Sequence, residues 1–211
     1  MPTSAQWDIG RVSVVTPPAS YPLEVDGESG VKKHLRIDHV GEDTELEDLI
    51  RAATDEIDAP HGWLGRSLIT RTLRLTLDGY PPPIVYLPGP PVTSITKITI
   101  RDQDDSSVVI YDPAAPTDDI GLMYDLTAEP ALIWPDGNIG WPSGIKGGID
   151  SVRVDYVAGY ADADAVPRAI RQWLLMRIGE LYRDRETSVL GFASNRLPHA
   201  DRMLDNWRVR S

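Results

Sequence analysis

The sequence predicts an α+β fold: a helical bundle formed by both ends of the chain, with a small antiparallel β domain inserted between them. Apolar residues recur with a helical period of about 3.6 in residues 44–58 and 167–185. Between these segments the period changes to two, as in the Leu73, Leu75 and Leu77 series, which is typical of strands with one buried face. The predicted units are an arm at residues 1–22, a helical core at residues 23–66 and 158–211, and an inserted β domain at residues 67–157.

The first long helix has start and stop signals. Thr44 and Glu47 fit a capping box, in which each side chain accepts a hydrogen bond from the other residue's backbone N–H. Pro60 and Gly62 are expected to end the helix. A shorter helix is predicted before it, at residues 30–37. The apolar stripe of the long helix consists of Leu46, Leu49, Ile50, Ala53 and Ile57.

The later helix starts near Pro167, a residue that suits the first helical turn. Its apolar face consists of Ile170, Trp173, Leu174, Ile178, Leu181 and Tyr182. Because apolar stripes are stable only when buried, we expect this face to pack on the stripe of the first long helix.

Strands are predicted where apolar or alternating runs are bounded by Gly, Pro, Asp or Ser. In the last run, Val152, Val154 and Tyr156 face one way and the residues between them the other. Such short strands predict a small antiparallel sheet or sandwich. The predicted strands are residues 12–15, 72–77, 84–87, 94–101, 108–111, 122–126, 131–134 and 151–157.

Composition narrows the function classes. The formal net charge is −11, which disfavours bulk attraction to nucleic acid or to an anionic membrane. From Pro167 onward, nine Arg stand against five Asp and Glu, so the C-terminal end is expected to meet a different partner. No apolar signal core opens the chain, and prolines interrupt its longest uncharged stretch, so no membrane span is expected.

Residues that could carry catalysis or bind a metal do not form a recognised pattern. The chain has no cysteine, and its four histidines include no His-Glu-x-x-His pair. Asp102, Asp104 and Asp105 begin like a calcium loop, but Ser107 and Pro113 occupy the positions that require Gly and Glu. An acidic turn is the simpler interpretation. We therefore expect no enzyme activity, no metal and no cofactor.

Trp134 and Trp141 allow a different class of function. With neighbouring Pro and Gly residues they could form an aromatic platform for a sugar. The simpler interpretation is that they plug one end of the β region, as large aromatic side chains often do. A carbohydrate-binding module thus stays open as an alternative. A hydrolase would need a carboxylate pair that cannot be singled out here.

Five phrases follow one another in a fixed order between Val31 and Glu186. They are VKKHLRID at 31–38, GRSLITRT at 65–72, LPGPPVTSI at 87–95, VDYVAGY at 154–160 and LYRDRE at 181–186. In this order and spacing they resemble the head-tail connector proteins of tailed bacteriophages and phage-derived gene transfer particles, in the group with a β insertion. The sequence departs from the family at residues 58–61, where the family has an unbroken helix.

The resemblance implies a structural, non-catalytic adaptor at the neck of a phage-like particle, made in a bacterial cytoplasm. In such a particle the alternative would be a carbohydrate-binding module of the tail or baseplate. The adaptor's expected partners are the portal protein, a tail-side stopper or tail terminator protein, and further copies of itself in a ring, usually of twelve. Double-stranded DNA would pass through the ring without sequence-specific binding. An acidic wall suits that passage, because like charge repels the phosphates.

The resemblance also points the C-terminal end toward the portal. Trp and Arg are the residue types that most often dominate interface energy, and a short helix is marginal alone. Two interpretations remain open: the segment anchors in the portal, or it folds back on its own acidic body. The candidate portal-docking residues are Arg196, Arg202, Met203, Leu204, Trp207, Arg208 and Arg210.

Overall fold

The computed structural model describes residues 10–27, 30–115, 117–183 and 198–209. The helices in these residues are α1 (Val31–Leu35), α2 (Asp43–Ile57), α3 (Arg168–Arg183) and α4 (Pro198–Arg202). The strands are β1 (Arg11–Thr16), β2 (Arg71–Leu77), β3 (Val85–Leu87), β4 (Val92–Arg101), β5 (Ser107–Asp112), β6 (Thr117–Asp118), β7 (Met123–Asp125), β8 (Ala131–Trp134) and β9 (Val152–Ala158).

The strands form two antiparallel sheets. The larger has the order β1-β2-β9-β4-β5-β6, and the smaller has the order β3-β8-β7. Their inner faces share one hydrophobic core, which contains Leu75 and Val154 from the larger sheet and Ile133 from the smaller. The sequences of β2 and β9 explain this core, because alternate residues of both strands are apolar and buried.

The helices build a second core beside the sheets. Ile50 on α2 and Ile170 on α3 belong to the same cluster of buried side chains, so the expected contact between the two amphipathic helices is confirmed. Trp63 packs edge-on against Trp173, with ring centroids 5.9 Å apart. At the rim, Arg177 Nε donates to Glu56 Oε2 over 2.7 Å. None of the described helices is long and apolar enough to cross a membrane.

The predicted helical bundle with an inserted β domain is wrong. The described chain is mostly β, with nine strands in two sheets and two helices longer than five residues. Residues assigned to an arm form β1, which pairs with β2 along the larger sheet. Two helices of 15 and 16 residues cover one flank of this body. The sequence patterns predicted the elements except β6, but they did not indicate which elements would form the larger layer.

The start of α2 also differs from the prediction. The helix begins at Asp43, and Glu42 is its N-cap without a capping bond from its side chain. The Thr44–Glu47 capping box is therefore wrong. Tertiary contacts hold this turn instead: the Tyr182 hydroxyl donates to Glu42 over 2.6 Å, and Asp43 pairs with Lys32.

The end of α2 explains the departure at residues 58–61. Asp58 leaves the helix in an extended conformation, and its carboxylate accepts the Leu68 backbone N–H over 2.9 Å. The same carboxylate pairs with the buried Arg71 guanidinium. Because these contacts require Asp58 to point toward the start of β2, the helix cannot continue through it.

Candidate docking site at the C-terminal segment

The predicted docking residues divide into an inner and an outer group. Leu204 is fully buried in the helical core, and Trp207 packs against that core. Arg202 and Arg208 are exposed, and Met203 is 39% exposed. Arg196 and Arg210 lie outside the described residues. Of the described candidates, the outer group can therefore meet a partner without a rearrangement of the fold.

Three hydrogen bonds hold the C-terminal segment, residues 198–209, on the body of the protein. The Trp173 indole N–H donates to Asp201 Oδ1 over 3.1 Å. The Val209 N–H donates to the Leu64 carbonyl over 3.0 Å, and Arg66 Nε donates to the Trp207 carbonyl over 3.0 Å. Together with the burial of Leu204, these bonds fold the segment back on its own chain.

Arg66 is the centre of this attachment. Its side chain is 4% exposed and makes a two-pronged pair with the Glu129 carboxylate. Its guanidinium carbon lies 5.7 Å from the centroid of the Trp207 ring, a cation–π distance. The Tyr160 hydroxyl lies 3.4 Å from the same guanidinium. Arg66 thus joins the loop after α2, the loop before β8, the end of β9 and the C-terminal segment.

The electrostatics around Arg66 keep its ion pair with Glu129 charged. The hydrogen bonds from Arg66 lower the pKa of Glu129 below its ordinary value of 4.5, so the pair stays ionised at neutral pH. Burial raises the pKa of the Tyr160 hydroxyl, and Arg66 opposes that rise. Tyr160 therefore remains a neutral side chain beside the ion pair.

Sequence reasoning missed Arg66 and Glu129 as a pair. They stand 63 positions apart, and neither belongs to a spacing motif. The available signal was indirect: Arg66 lies in the GRSLITRT phrase, and an arginine between buried apolar residues needs an anionic partner. The sequence does not indicate which of the acidic residues fills that role.

Asp58 and Arg71 form a second buried ion pair, and this pair has a structural role. Burial raises the pKa of Asp58, and the Arg71 charge opposes part of that rise. Arg71 also donates to the Ala59 carbonyl over 2.9 Å. Because both groups are saturated by the chain itself, they brace the joint between α2 and β2.

The aromatic platform proposed for a sugar lines an open groove of about 730 Å³. Trp141 is 6% exposed and donates its indole N–H to the Pro82 carbonyl over 2.9 Å. The Tyr80 hydroxyl donates to the Trp141 carbonyl over 2.7 Å. Trp141 thus packs as a plug, while Trp134 lines the groove wall.

The acidic turn that resembles a calcium loop is closed by its own backbone. Asp102 Oδ1 accepts the N–H groups of Asp104 and Ser106 over 3.0 and 2.8 Å, and Asp105 pairs with Lys146. Within the described part of the chain, no group of three or more His, Cys, Asp or Glu side chains is arranged to hold a metal ion.

Solved structures share this fold. A chain in the neck of an empty gene transfer agent (GTA) particle, computed with C6 symmetry, superposes with a TM-score of 0.71 at 22% identity, covering 95% of this chain and 96% of that one. A chain in the virion of the native GTA particle gives 0.66 at 19% identity. A chain in the native neck computed with C12 symmetry gives 0.64 at 19% identity. The last two cover the same shares of both chains.

These comparisons confirm the resemblance to neck proteins of phage-like particles at the level of the fold. The agreement extends over nearly the full length of both chains, so it includes both sheets and the helical core. No protein-family model and no curated protein matches the sequence.

Proposed function

We propose that this protein is a structural component of the neck of a phage-like particle, where it forms a ring adaptor between the portal and a tail-side stopper or terminator protein. The observation that carries the proposal is the shared fold over 95% of this chain and 96% of a GTA neck chain. A whole-length match favours a shared architectural role over a reused single domain, although a fold alone does not determine function.

Ring formation is supported by the symmetry of the similar particles. Their necks were computed with C6 and C12 symmetry, and a ring of twelve copies fits both axes. In a ring each copy presents two different surfaces to its neighbours. DNA passes through the opening and is repelled by the net charge of −11.

The portal-docking surface consists of the outer group: Arg202, Met203 and Arg208. All three are exposed on a chain that is strongly acidic elsewhere, so they offer positive charge to carboxylates of the portal. Leu204 and Trp207 hold the segment in place from inside. Docking by a preorganised surface avoids the cost of ordering a free tail during binding.

Charge reversal tests this surface. Particles that carry the R202E/R208E variant should contain DNA-filled heads without tails, because the reversed charges repel the portal carboxylates. The matched control is R51E/K97E, which changes the net charge equally at two other exposed positions. Electron microscopy counts tailed heads, and thermal unfolding of the isolated variants verifies the fold.

The outcomes separate the two parts of the proposal. Normal tailing by R202E/R208E particles would reject the docking surface but leave the neck assignment standing. Absence of the unaltered protein from purified particles, measured by mass spectrometry, would reject the neck assignment itself.

The carbohydrate-binding alternative has weaker support. A sugar needs several hydrogen-bonding side chains beside an aromatic face, but the polar groups of Tyr80 and Trp141 are already used inside the fold. Saturable binding of a glycan by the isolated protein, lost in a W134A variant, would favour the alternative.

A further inference from the structure

An open, mostly apolar groove lies beyond the end of β2. Its walls come from the loop between β2 and β3, from strand β8 and from the loop after β8. Leu132 and Trp134 are partly buried there, and Ile84 is 45% exposed. Among the described residues that line the groove, Asp136 is the one with a charged side chain, and its carboxylate already accepts the Asn138 N–H over 2.7 Å. The groove therefore suits an apolar occupant with little charge.

The chain enters the described structure beside this groove. Gly10 packs on the end of β2, where an added Cβ would lie 2.8 Å from the Leu77 side chain. Arg11 Nη2 pairs with Asp78 Oδ1 over 3.1 Å. Tyr80, three residues beyond Leu77, lines the groove. The near wall of the groove thus follows directly from the strand on which Gly10 rests.

Residues 1–9, which lie outside the described residues, are long enough to reach the groove and to run along it. Neighbouring antiparallel strands place Gly10 about 5 Å from Leu77, and the three residues from Leu77 to Tyr80 span at most about 11 Å. The near wall therefore lies within about 16 Å of Gly10. Nine extended residues span up to about 30 Å.

The chemistry of residues 1–9 matches the groove. The segment reads MPTSAQWDI, with one charged side chain, Asp8, and three large apolar ones, Met1, Trp7 and Ile9. Trp is a residue type that often anchors a contact by filling an apolar pocket. Attachment to the body keeps the segment at a high effective concentration next to the groove. A free ligand would have to compete with it.

Residues 184–197 are a less suitable occupant. They connect α3 to α4, and both helices contribute to the helical core. Helix α3 follows the end of β9 at which Ala158 pairs with Arg71, whereas Leu77 pairs with Val152 at the other end, about 20 Å away. Residues 184–197 also carry four charged side chains. Both their attachment points and their charge favour residues 1–9 as the occupant.

We propose that residues 1–9 of each chain lie in the groove of the same chain, with the Trp7 indole against the wall formed by Ile84, Leu132 and Trp134. The segment then covers the aromatic platform considered for a sugar and ties the start of β1 to the smaller sheet. The contact forms within one chain, so it does not depend on the neck function.

Cysteine crosslinking tests the contact, because the chain has no cysteine of its own. The Q6C/G137C variant places one thiol next to Trp7 and the other on the groove wall. Gly137 lines the groove, and an added Cβ there meets no atom within 4 Å, so the fold tolerates the change. A short bifunctional maleimide should join the two thiols within one chain, which peptide mass spectrometry detects.

The matched control is Q6C/G147C. An added Cβ at Gly147 also meets no atom within 4 Å, and Gly147 lies near the end of β2, because the neighbouring Gly148 carbonyl accepts the Gly79 N–H over 2.7 Å. Gly147 does not line the groove. Crosslinking in Q6C/G137C should be at least about tenfold faster, because a seated segment holds its thiol close to the groove wall.

The crosslinking outcomes decide the question. Equal rates in the two variants would overturn the inference, because they would mean that the segment does not favour the groove. Crosslinks between two copies rather than within one would overturn the placement in the same chain. Neither result affects the neck function, which is tested separately by the presence of the unaltered protein in purified particles.

A W7A variant tests the anchor in the full chain. Loss of the indole should uncover the groove, so the backbone amides of Ile84 and residues 136–141 should exchange hydrogen at least about threefold faster. The control T3A changes the same segment without removing an apolar side chain and should leave the exchange unaltered. Thermal unfolding verifies that both variants are folded. Equal exchange in W7A and T3A would contradict the role of Trp7.

Discussion

Replacing Arg66 by methionine tests whether one buried arginine fastens the C-terminal segment. The substitution keeps an apolar stem and removes the Glu129 pair, the bond to the Trp207 carbonyl and the cation–π contact. Breaking a buried ion pair costs about 3–5 kcal/mol. Glu129 is 45% exposed and returns partly to water, so we expect a loss of about 2–4 kcal/mol in the free energy of unfolding.

Urea unfolding measures that loss as a lower midpoint at unchanged slope. In the same variant, hydrogen exchange at the Val209 amide should accelerate, because the bond from Val209 to the Leu64 carbonyl depends on the position of the segment. The control is R51M, since Arg51 is 52% exposed and its surface pairs contribute less than about 1 kcal/mol. An R66M midpoint equal to that of R51M would refute the role assigned to Arg66.

Further variants probe other parts of the structure. L204A should lower the free energy of unfolding by about 2–5 kcal/mol, because Leu204 is fully buried; urea midpoints measure this, and a surface-like loss below about 0.5 kcal/mol would mean that the segment does not pack as described. G159A should cost at least about 2 kcal/mol in the same assay, because Gly159 has a φ of +115° and an added Cβ would lie 2.4 Å from the Ile69 backbone; an equal midpoint would contradict that close approach. E129Q should lose less stability than the unaltered protein on acidification from pH 5 to pH 3. Arg66 holds the pKa of Glu129 below 4.5, so the stabilisation is present above that value and is lost as the pH falls through the lowered pKa; parallel pH profiles would contradict it.

Local periodicity predicted most of the elements. The stripe on α2 needed only sequence spacing. Leu49 is partly buried, and the other four members, Leu46, Ile50, Ala53 and Ile57, are buried. The β9 alternation was equally direct, because buried and partly exposed residues alternate along the whole strand. Such signals are local, so one sequence suffices to read them. The domain limits drawn from them stay a prediction.

The architecture depended on contacts that are distant in sequence. β9 lies between β2 and β4 in the larger sheet, so the strand just before α3 is central to the β body rather than the last strand of an appendage. A strand's neighbours are set by long-range pairing, which hydrophobic period does not encode. For the same reason the sequence indicated a basic C-terminal end without revealing Glu129 as the partner of Arg66.

Of the two interpretations that the sequence left open for the C-terminal segment, the structure shows the one in which the segment folds back on the body. Docking to the portal stays a proposal. A short helix of five residues cannot be stable alone, and Leu204 and Trp207 supply the missing stability by packing inward. The inward packing of Leu204 determines which side of the segment faces outward. Arg202 and Arg208 are exposed on that outward side. Folding back on the body therefore does not compete with docking to a partner. Folding back orders the two arginines before any partner binds, so less conformational entropy would be lost on binding.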